Sequence, residues 1–253
     1  MLETSRYYNE KWLNNKMLVF IIIQYMYENI IAIPFRNRDK HLEYFIKNTV
    51  PLFQKHLPNS KVVVVEQNEG KLFNRGALLN VAFKEYENKT KYFFTHDVDI
   101  NPTKKCIEEH YIKEVNETDV LGVYTSGSNT LGGIIKMKDS TIHKINGFPN
   151  DVWGWGTEDK ALQNRAEYYN IKKITNLTNR VEHPLYLLRF NDVNDREKKH
   201  TSQNTNKHYT KFNTLNSEQK LKEIMSSGLN NLKYTILERK NIHDIVEIIK
   251  VEI

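Results

Sequence analysis

Lys61-Val-Val-Val-Val65 constrains the fold more than any other stretch of this chain. Four β-branched side chains in a row favour extended backbone. Successive strand residues point to opposite faces, so an unbroken apolar run buries both faces at once. Such a strand belongs inside a sheet covered on both sides. Ile30-Ile-Ala-Ile33 has the same character and runs into a basic loop, Pro34-Phe-Arg-Asn-Arg38. Tyr92-Phe-Phe-Thr95 is a third hydrophobic strand, ending in His96-Asp-Val-Asp99.

Helical periodicity lies between these strands. Leu42, Phe45, Ile46, Val50 and Phe53 predict one amphipathic helix that ends near Pro51 or shortly after. Phe73-Asn-Arg-Gly-Ala-Leu-Leu-Asn80 opens a second helix, expected from Asn74 to about Tyr86. Alternating strands and helices in the first hundred residues predict an α/β fold with right-handed crossovers. Ligands of such sheets bind beyond the carboxyl ends of the strands, where the 34–38 loop and Asp97-Val98-Asp99 both fall. Further strands are expected near Val120–Tyr124 and Gly133–Met137, and a helix over Glu158–Tyr169. Residues 191–216 read as a long polar loop, and Lys233–Ile253 as edge strands or a strand pair. A chain of 253 residues with 39% hydrophobic content buries a full core. The expected division is a peripheral extension over 1–29 and one domain over 30–253.

Gly147-Phe-Pro-Asn-Asp-Val-Trp-Gly-Trp-Gly-Thr-Glu-Asp159 sets two adjacent carboxylates behind a turn rich in Gly and Trp. Glycine allows close backbone approach to a ligand. Tryptophan offers a flat apolar face and an N–H, which suits a sugar ring and its hydroxyls. A carboxylate there can take a proton from a hydroxyl. The same residues also describe a tight turn whose Trp rings plug a core and whose acids favour a helix N-terminus.

Charge and cysteine content exclude other classes. The net charge is +6, with acids interleaved among the lysines and arginines and no nucleic-acid-binding module signature. The excess suits an anionic diphosphate better than nucleic acid. Cys106 is the only cysteine, so no intrachain disulfide forms, which fits a reducing compartment such as the cytoplasm, or a fold that needs no staples. Met17-Leu-Val-Phe-Ile-Ile-Ile23 falls short of the ~20 apolar residues needed to cross a bilayer. It also begins too late for a good signal peptide, so a soluble protein with no membrane span is expected, with a short signal-anchor as the minor alternative. No oligomeric state is legible.

The Pro-Phe-Arg-Asn-Arg loop, the Phe73–Asn80 helix start, the Asp97-Val-Asp99 strand end and the Trp-Gly-Trp-Gly-Thr-Glu-Asp turn occur in one order. Together they resemble the β-1,4-galactosyltransferase family of metal-dependent sugar transferases, from about Ile30 to Leu229. The resemblance implies a single GT-A-type domain, with a Rossmann-like mixed sheet flanked by helices. It implies an inverting hexosyltransferase using a UDP-sugar donor, a glycan acceptor and Mn²⁺ or Mg²⁺. Asp159 matches the catalytic base. Glu158 matches a residue contacting donor sugar and acceptor. Pro34, Phe35, Arg36, Arg38, Phe73, Arg75, Asp97, Val98, Gly133 and Trp155 match the donor site. Trp153, Gly156, Asp159 and Lys160 fall at the acceptor site. Asp99 matches the metal-binding carboxylate, with His200 and, three residues before it, Glu197 as further ligands; His183 and His208 compete with His200. A carboxylate in place of the methionine of many relatives makes the metal site harder.

Two departures bear on substrate identity. Lys160 stands where relatives carry a third acid that helps hold the acceptor, N-acetylglucosamine. Leu131-Gly132-Gly133 matches the family's donor-pocket glycines, and Thr130 before it stands where an aromatic or aliphatic residue tunes galactose against N-acetylgalactosamine. The donor sugar is therefore galactose-type, either of these two. Two other classes remain open: a catalytically silent glycan- or nucleotide-binding module, and a UDP-sugar hydrolase.

Overall fold

A computed structural model describes residues 25–124, 130–175, 181–182, 198 and 200–253. The apolar run at 17–23, His183, Glu197 and part of the 191–216 segment lie outside the described residues. The strands are β1 (Tyr27–Phe35), β2 (Ser60–Gln67), β3 (Thr90–Thr95), β4 (Asn101–Pro102), β5 (Asp119–Tyr124), β6 (Ile134–Lys138), β7 (Lys172–Thr175), β8 (Val181–Glu182), β9 (Thr235–His243) and β10 (Val246–Glu252). The longer helices are α1 (Asp39–Asn48), α2 (Val50–His56), α3 (Arg75–Glu85), α4 (Asp139–Lys144), α5 (Glu158–Tyr168), α6 (Thr201–Thr205) and α7 (Ser217–Ser226).

Eight strands form one mixed sheet in the order β7-β5-β6-β3-β1-β2-β10-β9, and β4 pairs with β8 in a small second sheet. The neighbours β3, β1, β2 and β10 run parallel; β6 runs antiparallel to β3, and β9 to β10. Strand alternation separates two cores. Ile31, Ile33, Val62, Val64, Tyr92 and Phe94 pack with Leu42, Phe45, Val50 and Phe53 of α1 and α2. Ile30, Ala32, Val63, Val65 and Phe93 pack with Leu78, Leu79, Val81, Ala82 and Phe83 of α3. The valine run is therefore buried on both faces, as its composition requires.

The expected single helix across Pro51 is two helices. Pro51 lies in the first turn of α2, where its missing N–H would have had no helical partner, so it starts a helix instead of ending one. Residues 201–214, expected as loop, form a helical run: α6, a wider turn at Asn206–Lys211, then Phe212–Thr214. Tertiary contacts override their polar composition. The C-terminal hairpin forms as expected, although β10 lies inside the sheet beside β2.

The chain leaves β1 for β2 on one side and returns to β3 on the other, opening a crevice at the carboxyl end of β1. β3 last pairs with β1 at Thr95 and Ala32, followed by a bond from His96 N to Ala32 O of 2.9 Å. Every second residue of β1 aims its polar backbone the same way, so Pro34 faces a side that β3 has already left. A proline in a central strand thus loses no ladder bond. Among the described residues no helix is long and apolar enough to cross a membrane.

Phe93, fully buried against Phe83 at 4.9 Å between ring centroids, is a sensitive test of this core. Phe93→Ala is expected to cost about 3–5 kcal/mol, read as a lower urea midpoint at unchanged slope.

Candidate active site

The crevice is assembled from four chain segments. Asn74 ends the loop before α3 and caps it, its Oδ1 accepting Ala77 N at 3.0 Å. It is also fixed by Gln67 Oε1, which accepts Asn74 N at 2.7 Å, and by its own Nδ2, which donates to Asn150 O at 2.7 Å. The first helical residue, Arg75, is thereby aimed at the end of β3. Its Nε donates to Asp97 Oδ1 at 2.9 Å, Nη2 lies 2.8 Å from the same oxygen, and Nη1 lies 3.6 Å from Glu158 Oε1. Burial opposes the guanidinium charge, but Asp97, Glu158 and Asp159 outweigh it and push its pKa up. Arg38 reaches Asp99, Nη1 to Oδ2, at 3.4 Å. Arg36 stacks 5.2 Å over the Phe73 ring, and its Nη1 donates to Lys71 O at 2.8 Å.

Beneath the Asp-x-Asp lies His96, which is fully buried. Its Nδ1 donates to the Asp97 carbonyl at 2.9 Å, which leaves Nε2 to accept the Tyr111 hydroxyl at 2.9 Å. Burial lowers its pKa to about 4, so the ring is neutral and serves as a strut under the turn. The rings of Phe45 and Phe53 meet it edge-on at 5.3 and 6.2 Å.

The opposite wall is the Trp turn and α5. Gly154 and Gly156 have φ of 86° and 88°, and Thr157, the residue capping α5, has φ of 87°. A β-branched residue in that region is strained by about 1–3 kcal/mol, a cost concentrated at functional sites. The turn is held from outside by α6 and the wider turn after it. Thr201 Oγ1 donates to Trp155 O at 2.9 Å, Asn204 Nδ2 donates to Trp153 O at 3.0 Å, and the Thr157 and Thr205 hydroxyls share a 2.8 Å bond. His208 Nε2 lies 3.4 Å from Asp151, which also pairs with Lys207. On the inner side Gly154 N donates to Phe73 O at 2.8 Å, tying this wall to the first. Burial raises the Glu158 pKa to about 7; Arg75 opposes the rise and Asp159 adds to it.

Residues 23–108 match the family profile described as the N-terminal region of glycosyl transferase group 7, and residues 115–190 match the N-terminal domain of galactosyltransferase. Human β-1,4-galactosyltransferase 4 is 38% identical over 149 residues, covering 56% of this chain and 43% of its own length. Bovine (Bos taurus) β-1,4-galactosyltransferase 1 is 31% identical over 215 residues, covering 82% of this chain and 50% of its own. The chain belongs to the β-1,4-galactosyltransferase family. It spans about half the length of the curated relatives it matches. Among solved structures, the catalytic domain of Drosophila β-1,4-galactosyltransferase 7, in complex with xylobiose, superposes with a TM-score of 0.70. It is 22% identical, and the match covers 90% of this chain and 94% of that one. A mutant of that fly protein, in complex with manganese, UDP-Gal and xylobiose, gives 0.66 at 21% identity, covering the same shares of the two chains. The fold is of the GT-A type.

Within this β-1,4-galactosyltransferase fold, Arg75, Asp97 and Glu158 come together, and Asp159, half-buried, follows at the same helix start. Trp155 is 55% exposed at the rim, and Trp153 is half-buried with Lys71 Nζ 5.6 Å from its ring. Lys160 is exposed, with its Nζ 5.3 Å from the Tyr209 ring. Gly133 has φ of 79°, and a Cβ there would lie 2.4 Å from Tyr124 O, so only glycine fits. Phe35 departs from expectation. It shares the strand face of Ile31 and Ile33 and is core, 4% exposed, whereas Phe73 is the ring at the crevice. Pro34 and Val98 are likewise buried. His200 precedes α6, its Nδ1 3.0 Å from Gln203 Oε1. Among the described residues no three His, Cys, Asp or Glu side chains form a metal-binding group. His96 and Asn74 were given no role by sequence reasoning, although both stand inside motifs it singled out.

A free Glu carboxyl ionises near 4.5, and Glu158 in the folded protein near 7. Between these values Glu158 binds more protons in the folded state, so its contribution to stability falls as pH rises from about 4.5 to 7. Glu158→Gln is expected to abolish that fall, measured by urea unfolding across the range in metal-free buffer.

Proposed function

We propose that this chain is a metal-dependent, inverting transferase. It moves galactose or N-acetylgalactosamine from UDP to a sugar hydroxyl of a glycan or glycoconjugate. One observation carries the reading: a single buried guanidinium, Arg75, joins the strand-end Asp97 to Glu158 beside Asp159. A donor-side acid and a candidate base therefore stand across one cleft. The curated relatives, named as β-1,4-galactosyltransferases, support the same chemistry.

The donor set suits a hard divalent ion. Asp99 supplies a carboxylate at the strand end, with Arg38 3.4 Å from it, while Asp97, paired with Arg75, faces the donor. In this reading Asp99, His200 and Glu197 hold Mn²⁺ or Mg²⁺, which when bound offsets charge on the departing diphosphate. Arg36 and Arg38 present planar donors to the nucleotide, and the Phe73 ring gives its base or ribose an apolar surface. Glu158, ionising near neutrality, exchanges hydrogen bonds with sugar hydroxyls. Asp159 takes the proton of the acceptor hydroxyl as that oxygen attacks the anomeric carbon opposite the leaving UDP, which inverts the centre. Trp153 and Trp155 offer faces for the acceptor ring, and Gly156 lets it approach the backbone.

Incubation with Mn²⁺ and a panel of UDP-sugars, with and without acceptor glycans, tests this by following UDP release. Release that needs acceptor supports transfer. Acceptor-independent release supports a hydrolase instead, and UDP binding without release supports a silent binding module. Asp159→Asn is expected to lower turnover by about 10² or more while UDP affinity, measured by calorimetry, is kept. Asp99→Ala is expected to abolish Mn²⁺-dependent UDP affinity in the same calorimeter; retained affinity would place the ion elsewhere.

A further inference from the structure

A base must stand at a fixed point relative to the hydroxyl it deprotonates, and a displacement of about 1 Å can cost roughly 10²-fold in rate. The Asp159 backbone is fixed by α5, but its carboxylate also meets a second piece of chain. Residues 130–132 run past it as a strap before β6. Leu131 N donates to Asp159 O at 3.3 Å. The fit is closest at Gly132, where a Cβ would lie 2.4 Å from Asp159 Oδ2 and 3.2 Å from its Cγ. Unlike Gly133, Gly132 is not at positive φ, so its backbone would accept alanine. What bars a side chain there is the carboxylate itself.

The strap is anchored at its start. Thr130 Oγ1 accepts Gly132 N at 3.2 Å, closing a tight local turn. Lys173 Nζ, from β7, donates to Thr130 O at 2.6 Å. β7 is the strand that directly follows α5, so the element carrying Asp159 and the element after it grip the strap from two sides. Burial lowers the Lys173 pKa while the Asp159 charge opposes the fall, which places the ammonium within electrostatic reach of the carboxylate.

We propose that Gly132 and Lys173 are positioning residues that set where the Asp159 carboxylate stands: Gly132 gives the clearance, and Lys173 anchors the strap that provides it. The inference rests on the reading of Asp159 as the base. Both act on the base through the position of the Asp159 carboxylate, although the strap also borders the donor-sugar side of the site.

The test uses Gly132→Ala, Lys173→Met and Lys173→Arg. In Gly132→Ala the clashing atom is the far end of a flexible side chain, so the fold survives and the carboxylate moves. Its melting temperature and UDP affinity should match the parent, while kcat falls about 10²-fold. Lys173→Met should lower kcat with the same split, and Lys173→Arg, which still donates to Thr130 O, should restore it. Equal kcat in the parent, Gly132→Ala and Lys173→Met would overturn the proposal. So would a loss of UDP affinity in place of the loss of kcat, or Lys173→Arg as impaired as Lys173→Met. If the parent releases no UDP with any acceptor, the transferase reading fails by itself, and crystal structures of the variants decide this point. A displaced Asp159 carboxylate in Gly132→Ala and Lys173→Met supports the strap; an unmoved one refutes it.

Discussion

Arg75 is the interaction on which the rest of the site depends. Three carboxylates, Asp97, Glu158 and Asp159, raise its pKa against the pull of burial. Without that charge, acids from the sheet and from α5 would repel one another where burial leaves them little water. An uncompensated buried carboxylate is costly, and here one guanidinium serves two chain segments. Its placement follows from Asn74, whose amide caps α3 while its backbone N–H and side-chain NH₂ bond Gln67 and Asn150. Helix start, strand end and Trp turn are thereby bound into one unit before any ligand arrives.

Around that unit the fold supplies rigidity by different means on the two walls. The sheet wall is supported from below: neutral His96, wedged between Tyr111 and the Asp97 carbonyl, holds the turn after β3. The Trp wall contains Thr157 in a strained conformation. It is clasped from outside by Thr201, Asn204 and Thr205, and by the His208–Asp151 contact. Burial alone would raise the Asp151 carboxyl, but His208 and Lys207 hold it far below the usual range. A strained turn persists only where its neighbours over-determine it, and the helical run after His200 does so here.

The sheet was legible in the chain because its signals are local. A valine run, an Ile-rich run and a Tyr-Phe-Phe run each state their own burial, and β1, β2 and β3 form at those places. The loop after β1 and the Asp-x-Asp after β3 meet at one end of the sheet because β1 and β3 are parallel neighbours. Two readings failed where long-range contacts decide. Pro51 reads locally as a stop, but the fold breaks the helix before it and uses its fixed φ to begin α2. Residues 201–214 looked like loop because their composition is polar; they are helical because they grip the Trp turn. Phe35 and Phe73 are both aromatic residues beside motifs, and only strand parity separates core from crevice.

The sequence by itself determined the α/β class, the strands that run through its centre, the crevice end of the sheet and the acids that line it. These follow from side-chain periodicity and residue chemistry, which a linear chain already contains. Tertiary structure alone decided that Arg75 would join Asp97 to Glu158, that His96 would be neutral, and that Gly132 and Lys173 would meet Asp159. Those outcomes depend on angstrom-scale distances between segments far apart along the chain. Burial and charge act through such distances, and no local pattern encodes them.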